Sequence, residues 1–243
     1  KVTAHSTITV AAEAYIEDAA VTSTGGGAQI TADSDAFIKT KALGAAVAVG
    51  ISGAGAQVVG TSDILGRVES GLKGTTNLQA DSGEVIISAR SAHGAVTDVD
   101  GGSGAIAVAV NLMKSTATLG ADTRAVVGDG TRVNAGSLTV EADALNSTRY
   151  TNAKDPEGSV AEDTRTAKAY LTLGGVGLLG SGSGGEPGSD DAAETTARIT
   201  GSVEAYIGAS ADVDATGAVT VEAVSKSFAR AKSDGGDGSI GIA

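Results

Sequence analysis

The chain has 243 residues and no cysteine; 41% of its residues are hydrophobic, 2% are aromatic, and the formal net charge is −12. This hydrophobic fraction is too high for an intrinsically disordered chain, and an acidic surface repels nucleic acids and anionic lipid headgroups. Without cysteine, disulfides and thiolate metal sites are excluded. Since Ala, Val, Ile and Leu supply most of the apolar content, we expect a thin core of small and β-branched side chains.

Short stretches of alternating apolar and polar residues begin at 7–10 and recur at 106–110 and 219–221. This two-residue period is typical of β-strands. Residues 191–198 are a weak helix candidate, and no other segment combines a helical period with capping residues. The alternation therefore predicts an all-β chain.

A two-part phrase of strand-like residues occurs four times. In each copy, a turn rich in Gly, Asp and Ala separates the two parts. The copies are 14–16 with 29–32, 67–68 with 85–89, 125–128 with 138–142, and 205–208 with 219–223. Repetition of this kind marks a solenoid, in which a unit buries its apolar face only when neighbouring units stack on it.

The spacing of the phrases predicts the size of one coil. Val10 and Ile30 hold equivalent places, and roughly 20 residues suffice for two or three short strands with their turns. The phrases end farther apart than one such coil, so each larger unit is expected to span several coils. The phrase endings are Ala32, Ala89, Ala142 and Ala223. The approximate units are 1–32, 33–89, 90–142, 143–223 and 224–243.

Irregular spacing predicts insertions into this array. Val68 and Ile87 lie about five residues farther apart than the corresponding positions of the other phrases, which indicates an insertion within 70–81. Residues 151–162 and 180–192 are rich in Gly, Ser, Pro or Asp and are predicted to be loops. The array is therefore expected to consist of irregular multi-coil repeats with loop insertions.

Runs of Gly, Ala and Val occupy 43–55, 104–112 and 171–185. Such runs either pack between layers of the solenoid or form a closely apposed sheet in which side chains must be small. Residues 42–60 are uncharged over a length that suits a membrane helix, but their glycines and their alternation favour strands. We therefore expect no membrane insertion by this segment.

Acidic turns are the main chemical feature of the sequence. Asp98 and Asp100 precede a glycine-rich stretch, and Asp234 and Asp237 flank two glycines. Carboxylates beside flexible backbone carbonyls suit the oxygen coordination of calcium, but the tandem nonapeptide repeat of calcium-binding β-helices is missing. Solvated tight turns are the preferred interpretation, and a weak calcium site at these four aspartates is the alternative. No other cofactor is expected.

Catalytic residues are not indicated by any motif. His5 and His93 have no histidine, cysteine or carboxylate partner at ligand spacing, and His93 is expected to be solvated on a turn or a strand edge. No Gly-x-Ser-x-Gly elbow precedes a helical pattern. The chain is therefore not expected to be an enzyme. A polysaccharide-acting β-helix domain remains the weakest alternative, because sugar sites generally use aromatic platforms.

The phrase at 205–208, the strand at 138–142 and the Gly- and Val-rich run at 104–112 together resemble repeats of very large exported bacterial surface proteins of the leukotoxin-like filamentous adhesin type. The resemblance implies a right-handed parallel β-helix, export across the outer membrane, and a role in adhesion or in a surface layer. It implies an extracellular or cell-surface location and supplies no catalytic residues.

Two hypotheses of function follow. The first is a structural or adhesive segment that forms a rigid stalk or contact surface, and the second is a self-assembling filament, sheath or surface layer. Because Lys1 already lies in a predicted strand, residues 1–243 are expected to be one continuous slice of a longer repetitive protein. The expected partners are neighbouring repeats, copies of the chain, other cell surfaces and extracellular matrix.

Overall fold

The protein is described by a computed structural model that covers residues 1–48, 54–105, 108–145, 147, 164–177, 180–183 and 193–239. These residues form strands, turns and bends, and they contain no helix. The strands are β1 (Val2–Glu17), β2 (Ala20–Thr22), β3 (Ala28–Ala48), β4 (Ala54–Lys73), β5 (Asn77–Gln79), β6 (Glu84–Ala105), β7 (Val108–Val127), β8 (Arg132–Ala135), β9 (Ser137–Leu145), β10 (Thr164–Gly177), β11 (Gly180–Ser183), β12 (Glu194–Ile199), β13 (Val203–Ile207), β14 (Asp212–Ala215) and β15 (Val219–Ser239). The prediction of an all-β chain is confirmed.

The strands belong to three parallel sheets, which the chain visits in the same order four times. The first sheet contains β1, β4, β7 and β11–β13; the short second sheet contains β2, β5, β8 and β14; the third contains β3, β6, β9, β10 and β15. We call each visit to the three sheets a circuit, so that the four circuits are β1–β3, β4–β6, β7–β10 and β11–β15. The strands within each sheet pair in parallel with strands of the preceding or following circuit.

The recurring phrase places equivalent residues in one row across the circuits. Ala32 pairs with Ala89, Ala89 with Ala142, and Ala142 with Ala223. The expected coil of roughly 20 residues is nevertheless wrong, because Val10 lies beside Gly66 rather than in the row of Ile30. One phrase belongs to one circuit, and the circuit is long because its strands continue through the alternating residues that were assigned to separate short strands.

Two further predictions are wrong, the first because the strands were aligned in the wrong register and the second because a strand forms in place of a helix. Ile16 pairs with Leu72 rather than with Val68, so the insertion expected within 70–81 disappears once the correct rows are aligned. The weak helix candidate at 191–198 instead contains β12, which pairs in parallel with β7. Pairing with the neighbouring strand β7 overrides the local helix propensity of this segment.

The two predicted loops fall largely outside the described part of the chain. Residues 151–162 lie outside it entirely, as do 184–192. Residues 180–183 form β11, which pairs with β7, so this end of the second predicted loop is a strand.

The long uncharged stretch contributes to two strands, since 42–48 belong to β3 and 54–60 belong to β4. Throughout the described ranges, no helix has the length and hydrophobicity needed to cross a membrane.

Gly44, in the first of the Gly, Ala and Val runs, and Gly60, beyond that run, lie where the first and third sheets approach each other closely. A Cβ atom on Gly60 would lie 2.6 Å from Val99 Cγ2, and one on Gly44 would lie 2.4 Å from Val58 Cγ2. Both distances are shorter than any van der Waals contact between carbons. Of the two arrangements expected for these runs, closely apposed sheets that require a small side chain are found at Gly44, in the described part of the run at 43–55.

The interior alternates between apolar clusters and bands of hydroxyl groups. Within one band Ser91 Oγ lies 2.6 Å from Thr123 Oγ1, and within another Thr97 donates to Ser62 Oγ over 2.8 Å. Both contacts join the first sheet to the third sheet. Because a buried hydroxyl without a partner is costly, these bands fix how the two sheets are aligned.

Three aspartates, two of them at turns and Asp122 within β7, join successive circuits by a repeated arrangement. In each case one carboxylate oxygen accepts hydrogen bonds from both the backbone N–H and the side-chain hydroxyl of a serine or threonine in the next circuit. The pairs are Asp18 with Thr75, Asp122 with Ser202, and Asp129 with Ser210. The Asp122 pair is the shortest, with 2.7 Å to the amide nitrogen.

The inner residues of the last circuit remain partly open to solvent. Leu138 and Val140 in the third circuit are completely buried, whereas the residues paired with them, Val219 and Val221, are 47% and 45% exposed. The last circuit therefore leaves this row less buried than the third circuit does, whereas Ile30 of the first circuit, in the same row, is only 6% exposed.

This difference in burial predicts that the same substitution costs different amounts of stability at two positions in one row. Val140→Ala should lower the free energy of unfolding by about 2 to 3 kcal/mol, because it removes two buried carbons and leaves a cavity. Val221→Ala should cost about 1 kcal/mol or less, since its side chain is already half exposed. Urea denaturation of both variants measures the difference, and equal losses would contradict the stacking order.

Candidate functional site

Charged residues gather on the outer face of the third sheet, where β3, β6, β10 and β15 lie side by side. One row is Lys41, Asp98, Tyr170 and Lys232, and the adjacent row is Leu43, Asp100, Thr172 and Asp234. Neighbouring strands lie about 4.8 Å apart, so residues far apart in sequence become neighbours here. This register is what builds the site.

A surface cleft of about 320 Å³ lies across these two rows. Its lining residues are Asp98, Asp100, Tyr170, Leu171, Thr172, Lys232 and Asp234. Tyr170 is 8% exposed and Leu171 is 1% exposed, so the middle strand, β10, forms the floor. Asp98 and Asp100 stand on one side of that floor, and Lys232 and Asp234 stand on the other.

Ion pairs balance most of the charge around the cleft. Lys41 Nζ lies 3.1 Å from Asp100 and 3.6 Å from Asp98, and Lys232 Nζ lies 2.8 Å from Asp234. The hydrogen bond to Asp100, together with the charges of Asp100 and Asp98, raises the pKa of Lys41. Because the side chain of Lys41 is 57% exposed, these pairs contribute little to stability and chiefly set the local charge pattern.

The interpretation of the four aspartates as parts of tight turns is wrong, because Asp98 and Asp100 lie within β6 and Asp234 and Asp237 lie within β15. Three of these four, which were also the predicted weak calcium site, are brought together in this cleft. Asp98, Asp100 and Asp234 line it, while Asp237 lies farther along β15 and pairs with Gly175. Among the described residues, no group of three acidic or histidine side chains is arranged to hold a metal ion. An ammonium group lies beside each of the three carboxylates, so calcium would compete with a lysine at every one.

Sequence reasoning missed the other residues of the cleft. Tyr170, Leu171, Thr172 and Lys232 join it only through the pairing of β10 with β6 and with β15, and Lys41 reaches its aspartates through the pairing of β3 with β6. No motif or short spacing marks them. A correct alignment of the circuits would have been the signal, and the assumed coil length concealed it.

The first sheet carries a second charged network on its outer face. Arg67 lies 2.6 Å from Glu13 and 3.6 Å from Glu69, and Lys73 lies 3.4 Å from Glu69. The ammonium of Lys73 also lies over the ring of Tyr15, 3.4 Å from its centroid, a cation–π contact. Glu13 and Glu69 are neighbours in one row, and Arg67 neutralises the repulsion between them.

The two histidines lie in opposite environments. His5 is exposed, as expected for a solvated histidine, but the same expectation is wrong for His93, which is 4% exposed. His93 lies on the inner face of β6 with Ser91 and Ala95, and its Nε2 lies 3.1 Å from Ser34 Oγ. The alternation along β6 carried this signal, but the neighbouring glycine suggested a turn.

Burial decides the protonation state of His93. Loss of solvent lowers its pKa from 6.5 to about 4; nearby Arg165 lowers the pKa further, and Asp35 opposes this. Arg165 is itself buried and donates to Ser227 Oγ and to the carbonyl of Gly201. The imidazole is therefore neutral near pH 7 and enclosed, which suits a structural role rather than general acid–base catalysis.

No protein-family model, curated protein or solved structure matches the chain.

Calcium should have only a small effect on stability. We expect millimolar calcium to raise the melting temperature by less than about 10 °C, because Lys41 and Lys232 already neutralise the carboxylates of the cleft. Thermal melts followed by circular dichroism, with magnesium as the control cation, measure the shift. A larger rise that is specific to calcium would establish a structural calcium site.

His93 should make the protein less stable in mild acid. The unfolded chain takes up a proton near pH 6.5 and the folded chain only near pH 4, so stability falls as the pH falls through this window. Urea unfolding at pH 7 and pH 4.5 should show that His93→Gln loses about 2 kcal/mol less than the unsubstituted protein over this interval. His5→Gln, at an exposed position, is the matched control and should leave the interval unchanged.

Proposed function

We propose that the chain is a segment of a right-handed parallel β-helix that forms a rigid stalk or contact surface of a large exported bacterial surface protein. The observation that carries the proposal is the stacking of four circuits in register through three parallel sheets. Each added circuit lengthens such a stack by about 4.8 Å. A long array of circuits would be a rod, and its length would be set by the number of repeats.

Rigidity is supported by the number of independent connections between circuits. Parallel backbone pairing runs along almost the whole of β4 against β7 and of β3 against β6. Buried hydroxyl bands join the two long sheets, and turn aspartates join one circuit to the next. Bending such a stack would break several of these contacts at once.

Adhesion by extended contact is supported by the form of the surface. The charged cleft on the third sheet is built from rows that run across successive circuits, so related surfaces would recur along a longer array. Weak contacts repeated along a rod give high overall affinity without a deep pocket. The proposed partners are neighbouring repeats of the same protein and the surfaces of other cells or their matrix, and the proposed location is the bacterial cell surface.

A self-assembling filament or surface layer is the second candidate, and exposed apolar side chains favour it. Leu43 and Val47, near the end of β3, are 67% and 79% exposed, and the end circuits leave inner residues open. Flat surfaces of small apolar residues pack well against each other.

Immunogold electron microscopy of the producing cells, with antibody against this segment, tests the proposal. We expect gold particles along thin fibres that project from single cells. Particles spread over a regular coat or on shed filaments would favour the self-assembling alternative. Particles confined to the cell interior would contradict both, and cells that lack the gene are the control for antibody specificity.

A further inference from the structure

The largest apolar cluster of the interior is incompletely covered at both ends of the stack. Leu78 and Val133, in the second and third circuits, are fully buried in it. The hydrophobic residues packed against this cluster that are only partly buried all belong to the first and fourth circuits: Val10, Ala12, Ala14, Ile16, Val21, Ala28, Val203, Ala205, Ile207, Ala211 and Val213. Val219 and Val221 of the fourth circuit are 47% and 45% exposed. The stack therefore presents an apolar face at each end.

Both ends also have strand edges without a partner among the described strands. At one end, β1, β2 and β3 pair only with strands of the second circuit. At the other end, β12 to β15 pair only with strands of the third circuit. Backbone N–H and C=O groups at such edges can form a further parallel ladder with an incoming strand.

The two ends match each other when the register of the third sheet is continued. One inner row runs from Ile30 through Ile87 and Val140 to Val221. A second copy whose first circuit lay on the fourth circuit in this register would place its Ile30 beside Val221. The neighbouring inner row would likewise place Ala32 of the copy beside Ala223.

The other two sheets give the same match. In the first sheet, the copy would place its Ile16 beside Ile207, and in the short second sheet it would place Val21 beside Val213. Each contact joins two side chains of the same type that are only partly buried in a single copy. One arrangement therefore continues the apolar interior in all three sheets at once.

The outer face of the first sheet adds an aromatic contact to this arrangement. Tyr15 and Tyr206 lie at the two ends of one row, with Gly71 and Val126 between them. In the junction between two copies, Tyr15 of the second copy would be the direct neighbour of Tyr206, which is 44% exposed. Aromatic pairs on adjacent strands stabilise their association.

The same junction brings like charges together, which partners within each copy partly offset. The like-charged neighbours would be Glu13 with Glu204, Lys41 with Lys232, and Lys39 with Arg230. The partners already present are Arg67 for Glu13, Arg124 for Glu204, Asp100 for Lys41 and Asp234 for Lys232, and Arg230 also interacts within its own chain. Because salt screens the remaining repulsion, association should be stronger at higher ionic strength.

We infer that the two ends of the stack are complementary docking surfaces for a second copy of the chain, which binds head to tail with its first circuit on the fourth circuit, in the register of the existing stack. This inference rests on the stacking of circuits, which also carries the proposed function, and it adds the partner and the register of the contact.

Engineered cysteines test this register, because the chain has no cysteine of its own. Gln29 and Thr220 are exposed and lie in one outer row of the third sheet. Their Cα atoms would be about 5 Å apart across the junction, within the range of a disulfide, but about 14 Å apart within one copy. Mild oxidation of a mixture of Gln29→Cys and Thr220→Cys should therefore form mixed disulfide dimers.

The matched control is a mixture of Thr31→Cys and Thr220→Cys. Thr31 is also exposed on the outer face of β3, but it lies one row away, so the Cα atoms would be about 8 Å apart and too distant for a disulfide. Mass spectrometry of the linked peptides should show about fivefold more mixed dimer for the Gln29 mixture than for the control. Equal yields, or no mixed dimer in the Gln29 mixture, would overturn the inference.

Sedimentation velocity over a range of concentrations gives a second measurement. Val221→Asp should lower the association constant roughly tenfold or more, because docking would bury a carboxylate beside Ile30. Thr220→Asp, on the outer face of the same strand, should change it by about twofold or less. Circular dichroism identifies folded variants.

A chain that stays monomeric at every concentration contradicts the inference, and so does association that Val221→Asp leaves unchanged. Association without the Gln29–Thr220 disulfide would show that copies meet through another surface, which also overturns it. The stalk proposal is judged by the location of the protein on cells, so the two can fail separately.

Discussion

Parallel pairing in register between circuits is the constraint on which the rest of the structure depends. It places every residue beside its equivalent in the next circuit, as Ala32, Ala89, Ala142 and Ala223 illustrate. Inside the stack this suits small and β-branched residues, which pack on their own kind without aromatic rings to fill a wide core. Outside the stack it brings like charges together, and interposed groups such as Arg67 then have to compensate. The same constraint therefore repeats apolar residues along inner rows such as that of Ala32, while charges vary along the outer rows.

Glycine is required at some positions of this arrangement, because the strands bend and approach one another closely. Gly66 has φ of +111°, and a Cβ atom there would lie 2.0 Å from the carbonyl oxygen of Val10 on the neighbouring strand. No other residue adopts that conformation readily or fits that space.

The hydroxyl bands set the alignment of the two long sheets. An interior of small apolar side chains alone would allow the two long sheets to slide, whereas Ser62 with Thr97 and Ser91 with Thr123 make one alignment preferable.

The sequence predicted the class of fold and the row of Ala32, Ala89, Ala142 and Ala223, because alternation and repetition are local signals. It did not predict the length of a circuit. Alternation continues through most of β3, whereas in β6 the five successive residues 93–97 are buried, and nothing local shows that such a run is one long strand rather than several short ones. The error in length moved the register, so Val68 was aligned with Ile16 in place of Leu72. The cleft could then not be predicted, because Lys41 and Lys232 lie beside the aspartates only in the correct register. His93 was misplaced for a related reason, because its inner position follows from the alternation of the whole strand.

A protein organised in rows divides its functions differently from one organised around a pocket. Inner rows such as that of Val140 determine whether circuits stack, and any small or β-branched residue of similar volume satisfies them. Outer rows are free of this requirement, so charge can vary there from one circuit to the next, as Lys41, Asp98 and Lys232 show within a single row. Under the proposed function, recognition along the sides of the array would draw on these outer residues. Specificity in such a rod would arise from the order of charges along the strands, while rigidity would arise from the apolar rows and buried hydrogen bonds that join its circuits and sheets.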